Sequence, residues 1–272
     1  MRTELNQRVL TGAIGGLALL LIVIFGGWLG IYFLTAVIVL GMVSEFAKIV
    51  YAMPDAVEKK YALLCLAWFA VVADFLTRAS FELLLVSFFA LFIYFLVSAY
   101  KYSIPELTTH FKELMYSVFG LLYLVFLPLY LPRIHSYMGG VHWTILFFLI
   151  IWAGDTGAYF VGLKWGRRKL YPRISPKKTL EGALGGVAAG WLVAILYKMV
   201  LFGGASWAGI VIIPLLVGPF SQIGDLAESF FKRAYEVKDS GRILPGHGGF
   251  MDRFDGVVFA LPVMYATVRI FS

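Results

Sequence analysis

The sequence predicts an all-α, polytopic integral membrane protein, and three observations carry that reading. Of 272 residues, 61% are hydrophobic and only 14% charged, whereas about a quarter of the residues of a soluble domain carry charge. Apolar runs close to the ~20 residues a helix needs to cross the hydrocarbon core recur nine times along the chain. Aromatic residues make up 17%, with 24 Phe, which suits helices that satisfy their own backbone because lipid offers no hydrogen bonds.

In chain order the runs cover residues 9–26, 29–50, 61–76, 81–100, 114–131, 141–163, 182–202, 205–231 and 254–271. The first follows Arg8 and has no small-x-small cleavage site, so it reads as a retained span and not a removed signal peptide. A very short turn leads into the second, and the third and fourth form another close pair. The fifth stands alone. The sixth and eighth run into longer basic loops, while only a few residues around Gly203 and Gly204 join the seventh to the eighth. Two regions result: residues 1–140 with five spans, and residues 141–272 with four spans and both basic loops. No internal repeat or low-complexity linker breaks the pattern, and the lone Cys65 reads as a small buried hydrophobe.

Lys and Arg set the orientation, because cytoplasmic loops hold the excess. With the N-terminus inside and the C-terminus outside, only Arg78, Arg133, Lys198 and Arg269 of the 23 basic residues fall on the outer side. The formal charge of +7 therefore faces the cytoplasm. No soluble basic domain is present, which excludes a nucleic-acid binder.

Ionisable groups inside or at the edge of a span are costly and point to function. Asp155 lies among small residues in Trp152-Ala153-Gly154-Asp155-Thr156-Gly157, where an interhelical hydrogen bond is the plain structural alternative. Ser221, Asp225 and Glu228 fall on one helical face, and two carboxylates so close need a cation or a Lys or Arg between them. The loop from Lys232 to Asp255 mixes Lys232, Arg233, Lys238, Arg242 and Arg253 with Asp239, Asp252 and Asp255 around Gly246, His247, Gly248 and Gly249. Basic side chains supply donors to phosphate, glycines let backbone approach a ligand, and carboxylates offer hard oxygens. Asp252 and Asp255, three apart, can join Asp225 in holding magnesium. In the other basic loop, Ser175 or Thr179 can cap the seventh span, and Lys177 and Lys178 serve either topology or a second phosphate clamp.

These residues resemble a known family. Ser229-x-Phe231-Lys232-Arg233-x4-Lys238-Asp239-x-Gly241-x2-Leu244-Pro245-x-His247-Gly248-Gly249-Phe250-x-Asp252-Arg253-Phe254-Asp255 resembles the signature of phosphatidate cytidylyltransferases at every specified position. Ser175-Pro176-Lys177-Lys178-Thr179-x-Glu181-Gly182 and Gly224-Asp225-x-x-Glu228-Ser229 are similar to further features of that family. The similarity covers roughly the last 120 residues; the first 140 add only spans.

The resemblance implies transfer of the cytidylyl group of CTP to phosphatidate, giving CDP-diacylglycerol and pyrophosphate, with magnesium as cofactor and a second cation left open. It implies a multi-pass protein of the cell (inner) membrane with its site facing the cytoplasm, in contact with membrane lipid; a homodimer is a further, unargued expectation. The candidate catalytic set is Asp225, Lys232, Arg233, Lys238, Asp239, His247, Asp252, Arg253 and Asp255. Candidate metal ligands are Asp225, Glu228, Asp252 and Asp255. Candidate substrate-binding residues are Asp155, Ser175, Lys177, Lys178, Thr179, Glu181, Gly246, Gly248 and Gly249. A secondary transporter would use Asp155, Asp225 and Glu228 as an ion relay, but it calls for inverted repeats and charges near the midplane. The Asp-Gly-x2-Ala-Arg pattern of CDP-alcohol phosphotransferases is absent.

Overall fold

Ten α-helices and one short β-hairpin are present among the residues that the computed structural model describes, 2–52, 56–241, 243 and 248–271, with side chains from Gly12 onward, Ser80 excepted. Helix α1 (Arg2–Phe25) meets α2 (Gly27–Val50) at Gly27, whose positive φ of 54° is a conformation that a residue without Cβ adopts freely. α3 (Val57–Thr77) and α4 (Ser80–Ser98) follow as an antiparallel pair. α5 (Ile104–Gly120) starts at a capping box, in which Ser103 and Glu106 satisfy each other's backbone. It continues through a π-helical segment, Leu121–Phe126, toward α6 (Tyr130–His135). α7 (Gly140–Trp165) leads to the hairpin β1 (Lys169–Tyr171) and β2 (Ser175–Thr179), then α8 (Leu180–Val200), α9 (Trp207–Ala234) and α10 (Met251–Phe271).

Among the described residues, eight helical stretches are long and apolar enough to cross a membrane. The ninth expected run, 9–26, falls in α1, where the apolar part with described side chains, Gly12–Phe25, is shorter. The protein is a polytopic, all-α membrane protein with one hairpin as its only sheet among the described residues. The expected fifth span, 114–131, lies within a longer helical stretch, Ile104–His135. A π segment carries an extra residue per turn and is common at functional sites; nothing in Leu-Leu-Tyr-Leu-Val-Phe marks it by pattern.

The core gathers where α2, the π segment, α6, α7 and α10 meet, and it buries Phe46, Leu121, Leu124, Trp143, Phe147 and Phe148. Helices α7 and α8 pack backbone to backbone: a Cβ on Gly186 would meet the Gly154 carbonyl at 2.7 Å, and one on Gly182 the Ala158 carbonyl at 2.8 Å. Without a hydrophobic drive between helices in lipid, small residues that permit such approach are what hold them. α8 packs in turn on α9, and α9 on α10. Ser206 joins the ends of these last two, accepting from Gly209 N at 3.1 Å as the cap of α9 and donating to Phe271 O at 2.8 Å.

Candidate active site

The site is built on one face of α9. Residues three and four apart share a helical face, so Ser221, Asp225, Glu228 and Lys232 form a single stripe down its last turns. Ser221 packs on Gly256 of α10, where a Cβ would come within 2.6 Å of the hydroxyl. That contact brings the first turn of α10, with Asp252 and Asp255, against the stripe.

Lys232 is the centre of a charge alternation. Its Nζ lies 2.5 Å from Glu228 Oε2 and 2.6 Å from Asp252 Oδ1. Glu228 is only 1% exposed, so the lysine supplies the cation that two neighbouring carboxylates require. Asp252 accepts more: Ser240 N at 3.1 Å, Ser240 Oγ at 3.0 Å and Gly249 N at 2.8 Å. One carboxylate thus fastens both ends of the described part of the loop. At Gly248 φ is 82°, and a Cβ there would stand 2.9 Å from Asp252 Oδ2, so both backbone angle and space call for glycine.

Asp255 is buried and accepts from Gly256 N at 2.7 Å through Oδ1. Asp225 forms an ion pair with Lys178, which reaches it from β2. Asp155 on α7 lies within electrostatic range of Asp225, Lys178 and Arg253, and Asp255 within range of Asp225, Lys178 and Lys232. The Lys178–Asp225 pair ties the first basic loop to α9, the helix that leads into the second.

The remaining expected residues divide. Arg233, Lys238, Asp239 and Arg253 are exposed at the rim, as is Lys177 on the hairpin; Ser175 is half-buried. Thr179 accepts from Gly182 N at 3.1 Å as the N-cap of α8, and Glu181 accepts from the backbone N–H groups of Arg167 at 3.0 Å and Arg168 at 3.1 Å. The Thr179 hydroxyl thus caps α8, and the Glu181 carboxylate holds the backbone that leads into the hairpin. Gly246 and His247 lie outside the described residues.

Among the described residues no three His, Cys, Asp or Glu groups converge closely enough to cage a metal ion. Asp252 is already saturated by donors. Magnesium, however, takes one or two carboxylates and completes its shell with water and substrate oxygens. Asp225 and Asp255 are a donor set of that chemistry, and Glu228 Oε1 is a buried oxygen without a hydrogen-bond partner among the described residues.

Two parts of the site escaped the sequence reading. Tyr123, carried by the π segment, donates to the backbone carbonyls of Asp255 at 3.4 Å and Gly224 at 3.5 Å, spanning the α9–α10 contact. Glu45 of α2, 1% exposed, accepts from Ser240 Oγ at 2.9 Å and Met251 N at 3.0 Å. A single Glu inside an apolar run was the available signal for the second; for the first there was none.

Paired acids and bases thus gather where β2, α9 and the start of α10 meet in a polytopic membrane protein. The sequence pattern of the cytidylyltransferase family matches residues 6–271, and the chain belongs to that family. A phosphatidate cytidylyltransferase of Staphylococcus haemolyticus (strain JCSC1435) is 34% identical over 96% of this chain and 97% of its own. Those of Bacillus subtilis (strain 168) and Staphylococcus aureus (strain COL) are 47% and 50% identical over 46% of this chain, covering 46% and 48% of theirs. The chain thus spans about half the length of the first curated relatives it matches.

Proposed function

We propose that the protein transfers the cytidylyl group of CTP to phosphatidate, forming CDP-diacylglycerol and pyrophosphate, and so serves phospholipid synthesis. The observation that carries the reading is Lys232, half-buried between Glu228 and Asp252 on the same face of α9 as the Lys178–Asp225 pair. Names of the relatives and membership of the family support the same substrates.

The phosphate monoester oxygen of phosphatidate attacks the α-phosphorus of CTP; a new P–O bond forms as the bond to pyrophosphate breaks. The attacking oxygen is already anionic near neutral pH, so a strong base is not required. The barrier lies in bringing anions together and stabilising charge on the transferring phosphorus. Lys178, Lys232 and Arg253 offset that repulsion, with Arg233 and Lys238 drawing the triphosphate to the rim. Asp225 holds Lys178, and Glu228 and Asp252 hold Lys232, between turnovers. Asp225 and Asp255 would hold magnesium, which would supply further positive charge to the phosphates.

In this reading the site faces the cytoplasm, supported by the crowding of Lys and Arg into the loops that contain it. One substrate arrives from water and the other from the bilayer, so a polar cleft at the membrane edge suits both. The test is incubation of purified protein with phosphatidate, α-labelled CTP and magnesium, with and without chelator. Label in the lipid phase, lost on chelation, is expected; no lipid label under any divalent metal would overturn the assignment.

A further inference from the structure

Glu45 stands in the N-terminal half, 195 residues from Ser240 and 206 from Met251 in sequence, yet touches both. It is buried, and its Oε2 accepts from the Ser240 hydroxyl at 2.9 Å and from Met251 N at 3.0 Å. Met251 opens α10, one residue before Asp252. The Ser240 hydroxyl also lies 3.0 Å from Asp252 Oδ2. Glu45, Ser240 and Asp252 therefore form a continuous chain from α2 into the charged cluster.

The packing around this chain is unusually tight. A Cβ on Gly249 would strike both Ser240 Oγ and the Glu45 carboxylate, and one on Gly241 would strike the same carboxylate. One helical turn before Glu45, Gly41 lets the Phe250 ring lie against α2, where a Cβ would be 2.6 Å from the ring. Gly41 and Glu45, four apart, present one face of α2. That face is a seat for both flanks of the loop.

We infer that Glu45 is a positioning residue for nucleotidyl transfer: it fixes the Ser240 and Met251 flanks of the loop and so holds Asp252, and through it Lys232, in register. It works by hydrogen bonding. Ser240 Oγ and Met251 N both donate to the same oxygen, Oε2, so a glutamine at 45 that places its amide oxygen there accepts both bonds as the carboxylate does. The single serine proton is shared between Glu45 and Asp252.

This inference rests on the proposed activity, so its test has one arm that does not. In full-length protein in detergent, Glu45→Ala is expected to raise backbone amide exchange in residues 236–241 and 248–251 while leaving α7 and α8 unchanged. Glu45→Gln is expected to restore wild-type exchange. In the turnover assay Glu45→Ala should lower kcat about 100-fold, the scale of a slight misplacement of reacting groups, with the KM for CTP within about threefold. Glu45→Gln should return kcat to within about threefold of wild type. Unchanged exchange in Glu45→Ala, or Glu45→Gln as impaired as alanine, overturns the inference. Altered loop exchange in a protein whose wild type never labels lipid counts against the proposed activity and leaves the latch standing.

Discussion

Lys178, on a β-strand outside the helical bundle, is ion-paired with Asp225 on the site face of α9. The two side chains are 27% and 41% exposed, and although Lys178 Nζ itself is shielded from solvent, the open carboxylate keeps the pair's strength near that of a surface pair, roughly 0–1 kcal/mol. A contact so weak is readily exchanged for a phosphate. Replacing Lys178 by Ala is therefore expected to raise the KM for CTP or phosphatidate about tenfold, equivalent to ~1.4 kcal/mol, with little change in melting temperature. Steady-state kinetics in mixed micelles measure it; wild-type constants would return Lys178 to a purely topological role.

Lys232 is the opposite case. Removing it by Lys232→Met leaves Glu228 and Asp252 facing each other with no cation, and breaking a buried pair this way costs about 3–5 kcal/mol. Both a marked drop in the detergent melting temperature and loss of turnover are expected. A stable, inactive variant would mean the lysine is needed for chemistry alone.

Asp252→Asn keeps the shape of the side chain and one acceptor oxygen for Gly249 N while removing the charge opposite Lys232. The protein should insert and melt nearly as wild type, with kcat reduced at least ~100-fold, the scale of losing one aligned electrostatic contact. Full activity in Asp252→Asn would dissociate the loop latch from catalysis.

Thr179→Ala tests whether this residue serves substrate or fold. As the cap of α8 its loss should cost about 1 kcal/mol of stability and leave the KM for CTP unchanged. A large rise in KM at constant melting temperature would restore it to the substrate site.

Much of this was readable from sequence because membranes simplify the problem. A span announces itself by length and apolarity, and Asp225, Glu228, Lys232, Asp252 and Asp255 stand out because charge near lipid demands a reason. The hairpin 169–179 was not legible: six of its residues are Lys, Arg or Pro, which hides the alternation of a strand. Its stability comes instead from Glu181 holding the Arg167 and Arg168 amides. Glu45 was overlooked because its meaning depends on Ser240 and Met251, partners that no local pattern connects to it. The roles of Thr179 and Glu181 were open for a related reason, since a hydroxyl or carboxylate beside a basic loop reads equally well as a cap or as a ligand.

The glycine seam between α7 and α8 has a mechanical side. Where two backbones already touch, no side chain can swing aside to make room, and parting the helices would forfeit the whole contact at once. The pair is expected to behave as a single stiff slab carrying Asp155 at one flank and the Lys178 strand at its end. A widening of the bundle is therefore expected along other seams, with the slab as its fixed side.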